Sequence, residues 1–324
     1  MSARSLVTGA AGQDGRYLVE RLLADGDEVV GMCHSAAGAA SLLEDFPTVD
    51  AVVGDLADAE GIKALVDEVA PQRIFNLAGN TSVARSWEFP AETADVLGVG
   101  PVRIFDAAWK LADRTGIDVR VLQASSAEIF GNASEIPQSE TTPRRPVTPY
   151  GAAKGFAHEM AGVYRARGMH VSSAILYNHE SPRRPEQFVA RKIAMAVVSI
   201  ALGTQEELAL GNIDVHRDWG YAPDYVDAMI RITDNDEAGD FIVATGQSHT
   251  VREFVAEAFA AADVTDWEGR VVIDPRFYRP ADPEQLVGDS SRLRAIGWAP
   301  TVDFPELVRI MVDAEFERQG GRPA

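Results

Sequence analysis

The chain has 324 residues, 46% of them apolar and 8% aromatic, which suits one large α/β unit or two packed domains and excludes a disordered chain. Its formal charge of −19 excludes nucleic acid and anionic membrane as partners, because both require a basic footprint. Cys33 is the single cysteine, so no internal disulfide forms; with no apolar signal-peptide run and no stretch long enough to span a bilayer, the expected address is the cytoplasm. Strand and amphipathic-helix patterns then alternate along the chain. Strands are predicted at 5–8, 28–33, 51–53 and 73–77, each followed by a helix, at 16–24, 36–44, 59–69 and 91–111. A strand at 119–124, a helix from Tyr150 to about Ala166 and a strand at 170–176 complete the first half. Such alternation predicts an α/β fold of the Rossmann type, a doubly wound parallel sheet with right-handed crossovers. Past Tyr177 the rhythm loosens into short elements separated by Pro182, Pro185, Gly203, Gly211 and Gly220, with a helix at about 188–202 and a closing helix at 304–316. The expected division is a dinucleotide-binding Rossmann domain over 1–177, with a return segment at about 221–245, and a smaller C-terminal α/β substrate-binding domain over 178–324.

The first strand runs into Gly9, Gly12 and Gly15, spaced TGxxGxxG, with Gln13 and Asp14 between the last two. Glycines at a strand-to-helix junction allow a tight turn and close approach to a pyrophosphate, whose charge the helix N-terminus favours. After the second strand, at Met32-Cys33-His34-Ser35, there is neither the acid of an NAD-selective site nor the arginine of an NADP-selective one. With no carboxylate to repel a 2′-phosphate and with His34 and Ser35 as donors, the reading leans to NADP, NAD remaining open. Asp55 follows the third strand and reads either as an adenine contact or as the N-cap of the next helix. Further on, Ser126 and Glu128 precede Tyr150 and Lys154. A tyrosine and a lysine four residues apart share a helix face, and a nearby cation favours phenolate; this is what would let Tyr150, ordinarily ionising near pH ~10, take a proton from a sugar hydroxyl.

These stretches resemble the extended short-chain dehydrogenase/reductase superfamily and, within it, the GDP-mannose 4,6-dehydratase family. The likeness is carried by TGAAGQDGRYLVERLL, GDLAD at Asp55, NLAGNTSV from Asn76, QASSAEIFG from Gln123 and TPYGAAK from Thr148. It is more specific in LYNHESPRR from Leu176, FVARKI from Phe188, LGNIDVHRDWGYAPDYVDAM from Leu210 and ATGQSHTVREF from Ala244, and it covers nearly the whole chain. The resemblance implies a hydro-lyase with tightly bound NADP or NAD, acting on a nucleotide-diphosphate sugar such as GDP-mannose. It assigns Tyr150 to the C4 hydroxyl, Lys154 to the cofactor ribose and the tyrosine pKa, Glu128 to the C5 proton and Ser126 to the C4 oxygen. It adds Leu56, Leu77 and Ala78 to the cofactor contacts, and Asn178, Lys192, Gly211, Asn212, Arg217 and Arg279 to the nucleoside diphosphate.

Several positions depart from the family pattern. His34 and Ser35 replace arginines, Ala127 replaces a hydroxyl residue, and Ala281-Asp282-Pro283-Glu284 alters an RPTEVD-like stretch. The segment 36–49 is shorter than in the family, which favours a homodimer over a tetramer. The rival readings are a 4-keto-6-deoxyhexose reductase or a 4-epimerase of the same fold and, more remotely, a non-catalytic dinucleotide-binding regulator. His179 reads as structural, and the six histidines show no metal-ligand spacing, so no metal is expected.

Overall fold

A computed structural model describes residues 3–278 and 283–322. Its first half follows the predicted alternation: β1 (Arg4–Thr8), α1 (Gln13–Ala24), β2 (Glu28–Cys33), α2 (Ala36–Asp45), β3 (Asp50–Val53), α3 (Ala59–Val69) and β4 (Arg73–Asn76). The single helix expected over 91–111 is instead a series: α4 (Val83–Glu88), α5 (Pro90–Ala94), a π-helical turn over Asp95–Val99, and α6 (Gly100–Thr115). Pro101 explains the break. Its nitrogen carries no hydrogen for an ordinary helical bond, and just before it the Gly100 N–H reaches back to the Asp95 carbonyl.

Next come β5 (Arg120–Ser126), α7 (Pro149–Ala166), β6 (His170–Leu176), β7 (Asn178–Glu180), α8 (Val189–Ala201), β8 (Leu208–Leu210), β9 (His216–Arg217), β10 (Trp219–Tyr221), α9 (Ala222–Asp234) and β11 (Asp240–Val243). The chain closes with β12 (His249–Thr250), α10 (Val251–Ala261), β13 (Val271–Ile273), β14 (Gln285–Leu286), α11 (Ser291–Ala295) and α12 (Phe304–Arg318).

Seven parallel strands form the main sheet in the order β11-β6-β5-β4-β1-β2-β3. Alternate residues of β1 face opposite layers. Val7 packs with Leu18, Leu22, Tyr225 and Met229 from α1 and α9, and Leu6 packs with Ile62, Val66, Ile104 and Phe105 from α3 and α6. Both faces are therefore covered, as a doubly wound sheet requires. Strand order reverses between β1 and β4, so their carboxyl ends open the crevice where open α/β sheets take ligands.

A separate core joins α8, α10 and α12 through Ile193, Val197, Phe254, Phe259, Leu307 and Met311. Arg191 and Glu315, both buried, make an ion pair of 3.0 Å inside it.

Candidate active site

Gly9 turns the chain out of β1 at φ +71°, and a Cβ there would sit 3.0 Å from the backbone of Leu77 and Ala78. Those two residues give their N–H groups to Thr8 Oγ1, at 3.2 and 3.1 Å. Gly12 caps α1, and a Cβ on Gly15 would come within 2.3 Å of the Gly9 carbonyl. The backbone thus folds into a cradle that side chains would fill, with the α1 N-terminus at its floor; this fits a dinucleotide pyrophosphate. His34 and Ser35 lie at the end of β2, and Asp55 and Leu56 just past β3, on the same edge of the sheet. Ser35 Oγ caps α2 by accepting from Gly38 N at 3.1 Å. Asp58, not Asp55, caps α3; Asp55 Oδ1 accepts from Ala57 N at 2.9 Å. The Leu56 side chain is buried and its carbonyl accepts from Arg103 at 2.8 Å.

The residues expected to do acid-base work meet where β5 ends and α7 begins. Thr148 caps α7, accepting from Gly151 N at 2.9 Å, and Pro149 at the first helical position places Tyr150 in the opening turn. A Cβ on Gly151 would lie 2.5 Å from the Glu128 carbonyl, so glycine lets the helix start press against the Ser126–Glu128 corner. Tyr150, Ser126, Glu128 and Lys154 are all buried, and Glu128 N donates to Ser126 Oγ at 3.3 Å. Burial pushes the Tyr150 phenol up to about 12, with the Glu128 charge adding to the rise and the Ser126 hydrogen bond and the Arg184 charge opposing it. Lys154 is brought down to about 8 by burial, against the pull of Asp14, and its Nζ donates to the Ala124 carbonyl at 2.9 Å. The ammonium sits 5.9 Å from the Tyr150 ring centroid and is engaged by a carbonyl, so burial wins in the protein itself.

Gln13 and Asp14, expected at the cofactor, direct their side chains to the NHES stretch. Gln13 Nε2 donates to the His179 carbonyl at 3.1 Å and its Oε1 accepts from Ser181 at 2.9 Å, while His179 Nε2 lies 2.8 Å from Asp14 Oδ2. Burial opposes charge on Asp14, but His179 outweighs it and holds the carboxyl below its ordinary value. Burial likewise opposes protonation of His179, and Asp14 outweighs it, so the imidazole titrates above its ordinary value. The raised histidine gives stability that is complete below about pH 6.5 and lost as pH rises through its folded value; the lowered aspartate gives stability that is present above about pH 4 and lost in acid. His179→Gln should therefore cost about 1–2 kcal/mol between those limits and less at higher pH. Urea midpoints across pH measure this, and a cost independent of pH contradicts it.

Of the expected substrate contacts, Lys192 and Gly211 converge on Phe277. Lys192 Nζ stands 3.6 Å above its ring centroid, and a Cβ on Gly211 would meet its carbonyl at 2.6 Å. Asn178 pairs with Trp219 between β7 and β10, and Asn212 is exposed, its Oδ1 accepting from Asp214 N at 3.0 Å. Arg217 is buried and donates to the His216 and Pro283 carbonyls at 2.7 and 2.9 Å. Arg279 and the altered Ala281-Asp282 lie outside the described residues. Among the described residues no cluster of His, Cys, Asp and Glu could hold a metal, and no helix is long and apolar enough to cross a membrane.

Three residues were missed as individuals. Ser86 Oγ accepts from Tyr150 N at 3.2 Å, bracing the start of α7 from α4. Arg184, paired with buried Glu180 at 3.0 Å, acts electrostatically on Tyr150, Asp14 and His179. Phe277 is 49% exposed beside Lys192. The repeated arginines of SPRR were a readable signal for Arg184; Ser86 and Phe277 had none.

The family model for GDP-mannose 4,6 dehydratase matches residues 6–311. GDP-mannose 4,6 dehydratase 1 of Arabidopsis thaliana is 41% identical over 325 residues, covering 97% of this chain and 90% of that protein. The human GDP-mannose 4,6 dehydratase is 40% identical over 349 residues, covering 98% and 93%. Among solved structures, the UDP-glucose 4-epimerase of Thermus thermophilus, in complex with NAD, superposes with a TM-score of 0.85 at 30% identity, covering 96% of this chain and 98% of that one. RMD of Pseudomonas aeruginosa, complexed with NADPH, gives a TM-score of 0.78 at 25% identity, covering 98% and 100%.

Proposed function

The chain belongs to the GDP-mannose 4,6-dehydratase family, and from that premise we propose that it converts GDP-mannose to GDP-4-keto-6-deoxymannose with loss of one water and no net oxidation. The observation that carries this reading is that two buried ionisable side chains share one corner, Tyr150 at the start of α7 and Glu128 just past β5. A nicotinamide dinucleotide held in the glycine cradle would supply the chemistry of accepting the C4 hydride and returning it at C6. Tyr150 takes the C4 hydroxyl proton, with Ser126 holding the C4 oxygen and Lys154 fixed on the Ala124 carbonyl beside them. The C4 ketone acidifies the C5 hydrogen; Glu128 removes that proton and passes it to the C6 hydroxyl, which departs as water, and the proton held on Tyr150 is given to C5 as the hydride returns at C6. Lys192, Asn178, Asn212, Gly211, Arg217 and Arg279 serve the nucleoside diphosphate, arginine forks suiting phosphate oxygens.

For the cofactor we read NADP. The first turn of α2, at the 2′-phosphate position, holds no acidic residue, and His34 stands exposed at its N-terminus. Titration of the apoprotein should give NADP binding about tenfold tighter than NAD, the worth of one charge-assisted hydrogen bond. Equal affinities or an NAD preference contradict it.

A homodimer is the expected assembly: exposed Val99 and Phe156 line an apolar groove with Pro90 and Ala94, and a sedimenting monomer contradicts that expectation. Mass spectrometry of the protein with GDP-mannose and then other nucleoside-diphosphate hexoses tests the substrate. Loss of one water from GDP-mannose supports the reading. An isomerised sugar of unchanged mass points to the epimerase chemistry of the fold.

A further inference from the structure

Tyr150, Lys154 and His158 recur at four-residue intervals on α7, so they form one stripe along the helix. Lys154 Nζ bonds the Ala124 carbonyl at 2.9 Å, and one turn further on His158 Nδ1 lies 3.1 Å from the Ser125 hydroxyl. His158 is 2% exposed and Ser125 3%, so this contact is sealed inside the molecule. The other ring nitrogen, Nε2, faces the Asp240 carboxylate on β11 at 3.5 Å, and Arg165, also on α7, holds Asp240 at 2.7 Å. In the tautomer that carries its proton on Nε2, the side facing the carboxylate, Nδ1 accepts from the Ser125 hydroxyl. Burying an imidazole costs free energy that a well-packed apolar residue would not.

We propose that His158 is a positioning residue: by fastening α7 to Ser125 it sets the separation between Tyr150 on the helix and Ser126 and Glu128 on the adjoining corner. Ser125 directly precedes Ser126 on β5, so a shift of the helix along this contact changes the reach of Tyr150. The inference rests on the roles given above to Tyr150, Ser126 and Glu128.

The test is kcat, KM and thermal midpoint for His158→Phe, Ser125→Ala and the double variant. Each single change should lower kcat about 10- to 100-fold with little change in KM, as misplaced reacting groups do. The double variant should be no worse than the poorer single one, because both cut the same link. His158→Gln, which keeps an acceptor, should recover part of the loss. Unchanged kcat with only a lowered midpoint, or losses that multiply in the double variant, overturns the proposal. Ser125→Ala removes a single hydroxyl and carries the test if His158→Phe does not fold. An inactive wild type would count against the dehydratase reading alone. The link would then be read from the Tyr150 ionisation, taken as the absorbance difference from a Tyr150→Phe version of each protein. A loosened α7 admits water and brings the phenol from about 12 towards about 10, and an unmoved titration overturns the proposal.

Discussion

Glu128→Gln should separate oxidation from elimination: turnover to the 4-keto-6-deoxy sugar falls about 10²- to 10⁴-fold, while reduced dinucleotide accumulates towards one equivalent per active site. Glutamine matches glutamate in shape, so the packing of this 8%-exposed side chain and the backbone bond from its N–H to Ser126 survive. What it lacks is the ability to remove a proton from C5. Tyr150 and Lys154 are untouched, so the C4 hydroxyl is still oxidised and the reaction halts at the ketone. Absorbance of the reduced dinucleotide in a stoichiometric mixture reads this directly. Full dehydratase turnover in this variant would remove Glu128 from the mechanism.

Tyr150→Phe should be as costly and look different. The ring stays in its buried seat against Leu97 and Ala153, so the fold and sugar-nucleotide binding are retained. Without the phenol no group accepts the C4 proton, and turnover falls by about 10²- to 10⁴-fold with no accumulation of reduced dinucleotide. The pH profile sharpens the point. A phenol held at about 12 is almost wholly protonated near neutrality, so wild-type activity should rise with pH as the phenolate fraction grows. A Tyr150→Phe enzyme that still forms reduced dinucleotide at the wild-type rate would show that another residue takes the C4 proton.

The parallel sheet was legible because β1, β2 and β4 are apolar runs bounded by glycine or polar turns, and each hands over to an amphipathic helix. The opening of α7 was legible for the same local reason, a Thr-Pro start that puts Tyr150 in the first turn. Spacing said less about side-chain direction. Gln13 and Asp14 stand in the glycine run, yet their side chains turn to Ser181 and His179, some 165 residues away in sequence, which only the folded chain brings near. Local spacing also set Lys154 beside Tyr150 without revealing that the Ala124 carbonyl takes its ammonium or that burial dominates both pKa values. The two-residue strands β9, β12 and β14 have no periodicity to read, and Ser86 reaches Tyr150 from a helix that the pattern did not contain.

The most direct measurement uses GDP-mannose deuterated at C4 with only a catalytic amount of dinucleotide. Hydride taken at C4 and returned at C6 predicts a product lighter by one water that carries the deuterium at C6, with no net reduction of the dinucleotide. Deuterium retained at C4 in a sugar of unchanged mass, or lost to a stoichiometric pool of reduced dinucleotide, would contradict an internally recycled dehydration.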